Sequence, residues 1–172
     1  DMFHANADLL AEHGLVYPQF SPLATGHHGL VLNWPVRPKV YELPEGSMAM
    51  LAQLSEEYAG TDQTLFLSSE EFSRDRSAAE LGHIREALSG FDEIEVICVL
   101  RTQWQFLQSV YLEVSKSRLP PRPPQLVQPV IESGMFEGLW VDYNRLLDRL
   151  EDVFAPEEIT LMDFDTCRRA EG

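Results

Sequence analysis

The residues from Glu95 to Lys116, EVICVLRTQWQFLQSVYLEVSK, constrain the fold of this chain more than any other stretch. They begin with an unbroken apolar run, Val96 to Leu100, which is typical of a strand buried on both faces of a parallel sheet. Arg101 follows this strand, and Thr102 together with Gln105 fits a capping box at the start of a helix. We therefore expect a central strand, a turn at the arginine and a helix.

The turn after this strand is a candidate anion site. In open α/β sheets, ligands bind beyond the carboxyl ends of the strands, where helix N-termini present free N–H groups. Arg101 lies at this end with a permanent charge and a fork of donors that suits phosphate. Ser109 follows Thr102 by about two helical turns, so its hydroxyl falls on the face of the helix start. Arg101 and Ser109 are therefore predicted to bind one phosphate together.

These residues carry a family resemblance. Arg101 after a core strand, Ser109 in the following helix and Tyr111 soon after resemble the 3′-phosphate-binding segment of sulfotransferases that use 3′-phosphoadenosine 5′-phosphosulfate (PAPS). Further short segments look like successive parts of bacterial sulfotransferase-family proteins: AEHGLVYP at 11–18, HHGL at 27–30, LFLSSEEFS at 65–73, VDYNRLL at 141–147 and EEITLMDFD at 157–165. The resemblance extends over most of the chain.

The resemblance implies an α/β fold in which helices flank a parallel sheet, with the sulfotransferase-like architecture of P-loop nucleotide-binding proteins. The alternation of helical patterns and short apolar strands also favours this class. We expect one domain over residues 1–172. Sulfotransferases open with a strand and a Lys-Thr-Gly-Thr-Thr type loop that holds the 5′-phosphosulfate, and no such loop occurs in this sequence. We therefore interpret the chain as a domain truncated at both ends.

The activity implied by the resemblance is transfer of a sulfuryl group from PAPS to a hydroxyl of a carbohydrate, lipid or small metabolite, without a metal. Transfer requires a base for the acceptor hydroxyl and a clamp for the nucleotide. Arg101 and Ser109 are the predicted clamp. Ser69 is predicted to donate to a sulfuryl oxygen, or else to cap the next helix. A protein that binds nucleotide or a partner without catalysis is an alternative.

The base is predicted to be Glu70, His28 or His27. The resemblance places Glu70 where some sulfotransferases carry a base, although a carboxylate there also favours the N-terminus of the next helix. The two histidines titrate near neutral pH, which suits a base, although solvated loop histidines are common. A P-loop kinase is a further alternative, for which Glu70 or Asp163 would hold magnesium.

Composition narrows the class of partner. The 172 residues are 44% hydrophobic and 24% charged, which is ordinary for a globular domain. A formal net charge of −15 argues against nucleic acid and membrane surfaces as partners and makes an anionic polymer an unfavourable acceptor. The two cysteines, Cys98 and Cys167, do not indicate a disulfide scaffold, so a cytoplasmic location is predicted. No apolar stretch reaches the roughly 18 residues of an integral membrane segment.

Three other segments are interpreted by composition. Residues 19–46 are rich in glycine, proline and histidine, and they are predicted to form a long loop. Residues 119–129 contain several prolines and are predicted to be a loop or lid rather than a helix. The recurrence of leucine from Leu139 to Leu150 predicts a last helix, and Ile159 to Met162 a strand after it.

Overall fold

The structure is a computed structural model that describes residues 2–21, 23, 25–32, 34, 37–74 and 78–170. The chain divides into two compact units, one that ends at Ile94 and one that begins at Glu95. Both combine a small parallel sheet with helices, which confirms the predicted mixed α/β class. The sulfotransferase-like sheet architecture and the single domain stay predictions. Among the described residues, no helix has the length and apolar character needed to cross a membrane.

The first unit is built around a helix that covers a short parallel pair of strands. Its buried core consists of Leu30, Leu51 and Leu54, and the last two lie one turn apart on the same helix face. Partly buried residues from the second strand and from the last helix, such as Leu65 and Ile84, pack against this core. The elements are α1 (Met2–Ala5), α2 (Ala7–Glu12), β1 (Leu15–Val16), α3 (Ser47–Tyr58), β2 (Thr64–Leu65) and α4 (Ala78–Ala87).

The predicted loop over residues 19–46 contains two short 3₁₀ turns, His28–Leu30 and Lys39–Tyr41. Positions 22, 24, 33, 35 and 36 of this loop lie outside the described residues, as does Ser77, the predicted start of α4. A third 3₁₀ turn, Glu70–Ser73, follows β2. The loop residues His27 to Leu30 therefore lie next to the end of a strand, because the backbone N–H of His27 donates to the carbonyl of Ser68 at 2.7 Å.

The second unit contains a longer parallel pair and an antiparallel hairpin. Its buried core is formed by Leu126, Val130 and Phe136, against which Leu107 and Tyr111 pack. These two residues belong to the helix after Arg101, which is thereby confirmed. The elements are β3 (Val96–Leu100), α5 (Gln103–Ser115), α6 (Pro123–Ser133), β4 (Met135–Phe136), β5 (Leu139–Trp140), α7 (Tyr143–Glu151), β6 (Ile159–Asp163) and α8 (Phe164–Ala170). β3 and β6 pair in parallel over their whole length, from Val96 opposite Ile159 to Leu100 opposite Asp163.

The prediction that β3 is buried on both faces is wrong for the described residues. Ile97 is 45% exposed and Val99 is 50% exposed, and both lie on one face of the strand. The opposite face, with Val96, Cys98 and Leu100, is partly buried. The apolar run correctly indicates a strand, but the described residues cover only one of its faces.

The proline-rich segment also differs from its prediction, because Pro123 begins α6. Pro123 and Pro124 occupy the first turn, where a helix needs no N–H from either residue. Pro129 lies inside the helix, which tolerates one missing hydrogen bond while Leu126 and Val130 enter the core. Proline therefore starts this helix rather than preventing it.

Leu139 was predicted to belong to the last helix and instead forms β5. A two-residue turn, Glu137 and Gly138, joins β4 to β5, and both residues have positive φ angles of 56° and 76°. Such turns match the twist of a hairpin, which explains why the chain reverses here. α7 then starts at Tyr143, where the Asp142 carboxylate accepts a hydrogen bond from the Asn144 N–H at 3.2 Å.

Candidate functional site

The structure brings Arg101 and Ser109 together at the carboxyl end of β3. Arg101 follows the last residue of the strand, and its Nη1 donates to Ser109 Oγ at 3.1 Å. Arg101 is half-buried and Ser109 is exposed, so the pair faces solvent. Among the described residues, no carboxylate forms an ion pair with Arg101. The contact was expected from the sequence, whereas the phosphate-binding role stays a prediction.

Two side chains that the sequence analysis did not assign to the site hold Arg101 in place. The guanidinium carbon lies 4.0 Å from the centre of the Phe164 ring, within the range of a cation–π contact. Tyr143 Oη donates to the backbone carbonyl of Arg101 at 2.8 Å. Burial raises the pKa of Tyr143, so this hydroxyl keeps the proton that it donates. The sequence signal for this contact is that Phe164 directly follows β6, the parallel neighbour of β3, so it lies at the same end of the sheet as Arg101.

An open cleft of about 290 Å³ lies at this end of the two strands, lined by Leu100 to Gln103, Tyr143 and Leu161 to Asp163. The N-terminus of α5 is part of this lining, so the cleft contains free backbone N–H groups as well as the arginine. Thr102 occupies the N-cap position, but its side chain makes no capping hydrogen bond, so the predicted capping box is wrong. Its backbone alone takes the N-cap role, its carbonyl accepting from the Phe106 N–H at 2.9 Å.

Asp163 gives the cleft a negative side. Its carboxylate accepts from the side chain of Thr166 at 2.7 Å and from the backbone N–H of Thr166 at 2.8 Å, at the start of α8. These hydrogen bonds lower the pKa of Asp163, so it is ionised at neutral pH. The Asp163 carboxylate is thus engaged at the N-terminus of α8. Arg101 is the positively charged residue in the lining of the cleft.

In the first unit, His27 is part of the buried structure. Only 1% of its surface is exposed, and its ring contacts the rings of Tyr17 and Phe20. Its Nδ1 accepts from the backbone N–H of Ser68 at 3.0 Å, and its Nε2 therefore carries the proton and donates to the carbonyl of Pro18 at 2.8 Å. Burial lowers the pKa of His27. Both ring nitrogens are thus engaged within the fold.

The neighbouring residue, His28, is placed differently. It is half-buried, and its Nδ1 lies 2.7 Å from Ser69 Oγ. The same Ser69 oxygen accepts from the Glu71 N–H at 3.2 Å, so Ser69 caps the 3₁₀ turn Glu70–Ser73 and not the next helix, while its role toward a sulfuryl oxygen stays a prediction. Glu70 is exposed in the first turn of this segment. His28 and Ser69 therefore form a pair that the sequence analysis did not predict.

The predicted site residues thus form two groups. His27, His28, Ser69 and Glu70 cluster around the end of β2 in the first unit, and Arg101 and Ser109 meet at the end of β3 in the second. Over the described part of the chain, no three histidine, cysteine, aspartate or glutamate side chains are grouped so that they could hold a metal ion.

No protein-family model, curated protein or solved structure matches this chain. The resemblance to sulfotransferases therefore depends on the sequence motifs alone, and a function has to be argued from the geometry of the site.

Proposed function

We propose that this chain binds the 3′-phosphate of PAPS through Arg101 and Ser109 and serves the transfer of its sulfuryl group to an acceptor hydroxyl. The observation that carries the proposal is the 3.1 Å contact between Arg101 Nη1 and Ser109 Oγ at the carboxyl end of a parallel strand. The pairing of a fixed cation with a hydroxyl, next to a helix N-terminus, is suited to a phosphate group.

Arg101 gives the cleft a local cation in an acidic chain, beside an ionised Asp163 whose carboxylate is bound by Thr166. The formal net charge of −15 makes the protein as a whole repel anions, so an anion needs a local cation. Arg101 supplies that charge, and its stacking on Phe164 leaves donors free to turn toward a ligand. The assignment to a 3′-phosphate, rather than to another phosphate, comes from the resemblance to sulfotransferases.

The acceptor hydroxyl must lose a proton as its oxygen attacks sulfur and the bond from sulfur to the phosphate oxygen breaks. The candidates for the base are His28, Glu70 and His27. Both nitrogens of His27 are engaged by Ser68 and Pro18, which leaves His28 and Glu70 as the predicted bases. Both belong to the first unit, and the base is no part of the proposed clamp. Ser69 then positions His28 through the 2.7 Å contact.

Calorimetric titration with 3′-phosphoadenosine 5′-phosphate (PAP), the desulfated product, tests the clamp against 5′-AMP and ATP. We expect PAP to bind most tightly and Arg101→Ala to weaken its binding by about tenfold to a hundredfold, as for loss of charge-assisted hydrogen bonds. Arg149→Ala is the matched control, because it removes the same charge from an exposed position on α7, beside Asp152. Equal binding of PAP and 5′-AMP, or an unchanged affinity in Arg101→Ala, would contradict the clamp.

Activity assays with PAPS and with ATP, added to this titration, separate the alternatives. Selective binding of PAP without release of a sulfated product from PAPS would indicate a nucleotide-binding protein without catalysis. Magnesium-dependent turnover of ATP would instead favour a kinase, for which Glu70 or Asp163 was the predicted metal ligand at a strand end. The side chain of Asp163 is already bound by Thr166, which makes this alternative less favourable.

A further inference from the structure

The contact between His28 and Ser69 joins a hydroxyl to a nitrogen that can act as a base. His28 Nδ1 lies 2.7 Å from Ser69 Oγ, within hydrogen-bond reach. Ser69 Oγ accepts from the Glu71 N–H, and this capping bond uses a lone pair of the oxygen and leaves the hydroxyl proton free for the imidazole. Both side chains are half-buried, so part of each is open to solvent. The arrangement is that of a serine with an adjacent general base.

The residues next to this pair hold it in place. The His27 backbone N–H donates to the Ser68 carbonyl at 2.7 Å, and the Ser68 N–H donates to His27 Nδ1 at 3.0 Å. These bonds join the two chain segments one residue before His28 and Ser69. The Tyr41 ring meets the His28 ring edge-on, with 4.9 Å between the ring centres. A base that is fixed on both sides in this way keeps its nitrogen directed at the hydroxyl.

The backbone after Ser69 supplies a donor for developing negative charge. Ser69 has an extended backbone, and the 3₁₀ turn Glu70–Ser73 begins directly after it. In the part of the chain that the structure describes, no protein group accepts a hydrogen bond from the Glu70 N–H. A free N–H on the residue that follows a nucleophilic serine is a common donor to the oxyanion of acyl transfer. The serine, the base and this donor are thus contributed by two short neighbouring segments.

Two aromatic rings beside His28 indicate the class of substrate. The Trp34 ring stacks on the Tyr41 ring, with 5.8 Å between the ring centres and 20° between the planes, and Tyr41 in turn contacts His28. Such rings are suited to an apolar or aromatic group. We propose that Ser69, activated by His28, is a nucleophile that hydrolyses small aryl esters. This activity shares His28 with the proposed function, but it requires neither a nucleotide nor any residue of the second unit.

The reaction has two halves. Ser69 Oγ attacks the carbonyl carbon of the ester, and its proton passes to His28 Nδ1, which can accept it when the imidazole carries its own proton on Nε2. The carbonyl oxygen takes up the negative charge, with the Glu70 N–H as donor. The bond from the carbonyl carbon to the phenol oxygen then breaks, and this oxygen leaves with the proton from Nδ1. Water attacks the acyl group in the same way, which releases the carboxylic acid and restores the Ser69 hydroxyl.

A biotin-linked fluorophosphonate tests the nucleophile, because it bonds to activated serines with loss of fluoride. We expect mass spectrometry of peptides from the natural chain to show an adduct at Ser69. Ser73, in the same turn, is the control serine, because its hydroxyl donates to the Glu70 carbonyl at 2.7 Å and has no adjacent base. The heat-unfolded chain should not react, since only the fold brings Ser69 to His28. The proposal is overturned if Ser69 carries no adduct, or if Ser73 or the unfolded chain reacts equally.

The base is tested with His28→Ala. We expect this variant to slow both the labelling of Ser69 and the hydrolysis of p-nitrophenyl acetate by about a hundredfold. Imidazole added to the solution should restore part of each rate, which a merely structural role of His28 would not allow. His13→Ala is the matched control, since His13 is exposed. Unchanged rates in His28→Ala, or a loss that imidazole does not restore, overturn the proposal.

The same variant separates this inference from the proposed nucleotide site. We expect His28→Ala to bind PAP as tightly as the natural chain, because Arg101 and Ser109 belong to the second unit. Absence of esterase activity therefore leaves the clamp untouched, and absence of PAP binding leaves the reaction of Ser69 untouched.

Discussion

The ends of β2 and β3 hold similar sets of polar residues but organise them in opposite ways. At the end of β2, His27 is buried, and its ring bonds to Ser68 and Pro18. At the end of β3, Arg101 is half-buried, touches Ser109 and faces an open cleft. Both places follow a parallel strand, where ligands commonly bind.

The difference shows how a structural polar group can be told from a binding group. A buried imidazole whose two nitrogens both have protein partners fixes the path of a loop. It is not available to a ligand, because the ligand would have to replace those hydrogen bonds. A half-buried guanidinium that lines an open cleft, without a carboxylate partner among the described residues, keeps donors for a ligand. We therefore expect changes at His27 to affect stability and changes at Arg101 and Ser109 to affect binding.

The largest expected effect is that of His27→Ala on the first unit. Removal of the ring leaves a cavity between Tyr17 and Phe20 and leaves the Ser68 N–H and the Pro18 carbonyl without their partner. We expect the free energy of unfolding to fall by about 3 kcal/mol. Amide hydrogen exchange in α3 measures this loss within the first unit. The exposed His13→Ala is the control, and a comparable loss there would show that His27 has no special structural role.

A somewhat smaller loss is expected for Gly26→Ala, which tests the same loop through its backbone. Gly26 has φ +108°, and an added Cβ would lie 2.9 Å from the Ser68 carbonyl oxygen. Strain and this close contact should together lower the free energy of unfolding by about 2 kcal/mol. Gly14→Ala is the control, because Gly14 also has positive φ, +79°, but open space around its Cβ position. Equal losses in both variants would mean that the contact with Ser68 contributes nothing.

The buried histidine also predicts a dependence of stability on pH. Burial lowers the pKa of His27 in the folded chain below its ordinary value of about 6.5, so the unfolded chain binds more protons between the two values. The stabilisation by neutral His27 is therefore complete above about pH 6.5 and is lost as the pH falls through the folded-state pKa. In urea unfolding, the advantage of the natural chain over His27→Gln should shrink from about pH 7.5 to about pH 5.5. If the difference in free energy of unfolding between the natural chain and His27→Gln stays constant with pH, the predicted role of neutral His27 is wrong.

The sequence predicts contacts between residues that are near in sequence better than contacts between distant residues. Arg101 and Ser109 were paired correctly, because a strand end and helical periodicity place them together without reference to the rest of the chain. Phe164 was missed as the support of Arg101, because their contact joins positions far apart in sequence. His27 and His28 are equivalent in sequence as neighbours in a loop, and the packing of Tyr17 and Phe20 together with the hydrogen bonds to Ser68 and Pro18 distinguishes His27.

The difference between local and long-range contacts also explains the errors in the predicted fold. The helices α5 and α7 were predicted, although Leu139 was wrongly added to α7. The segment that forms α6 was interpreted by its proline content, whereas the position of Pro123 and Pro124 in the first turn decides the outcome. The burial of β3 could not be predicted from its composition, since composition gives the preference of a strand and not the elements that cover it.

The smallest expected effect, and the sharpest test of the open site, is that of Ser109→Ala on the binding of PAP. The hydroxyl contributes one hydrogen bond beside a charged group, so its loss should weaken PAP binding by about fivefold while stability stays unchanged. Ser115→Ala in the same helix is the control, because the Ser115 hydroxyl donates to the Tyr111 carbonyl. If Arg101→Ala weakens PAP binding and Ser109→Ala does not, Arg101 acts alone as a point charge. If both variants weaken PAP binding but leave 5′-AMP binding unaffected, the two side chains bind the 3′-phosphate together, as proposed from their contact at the end of β3.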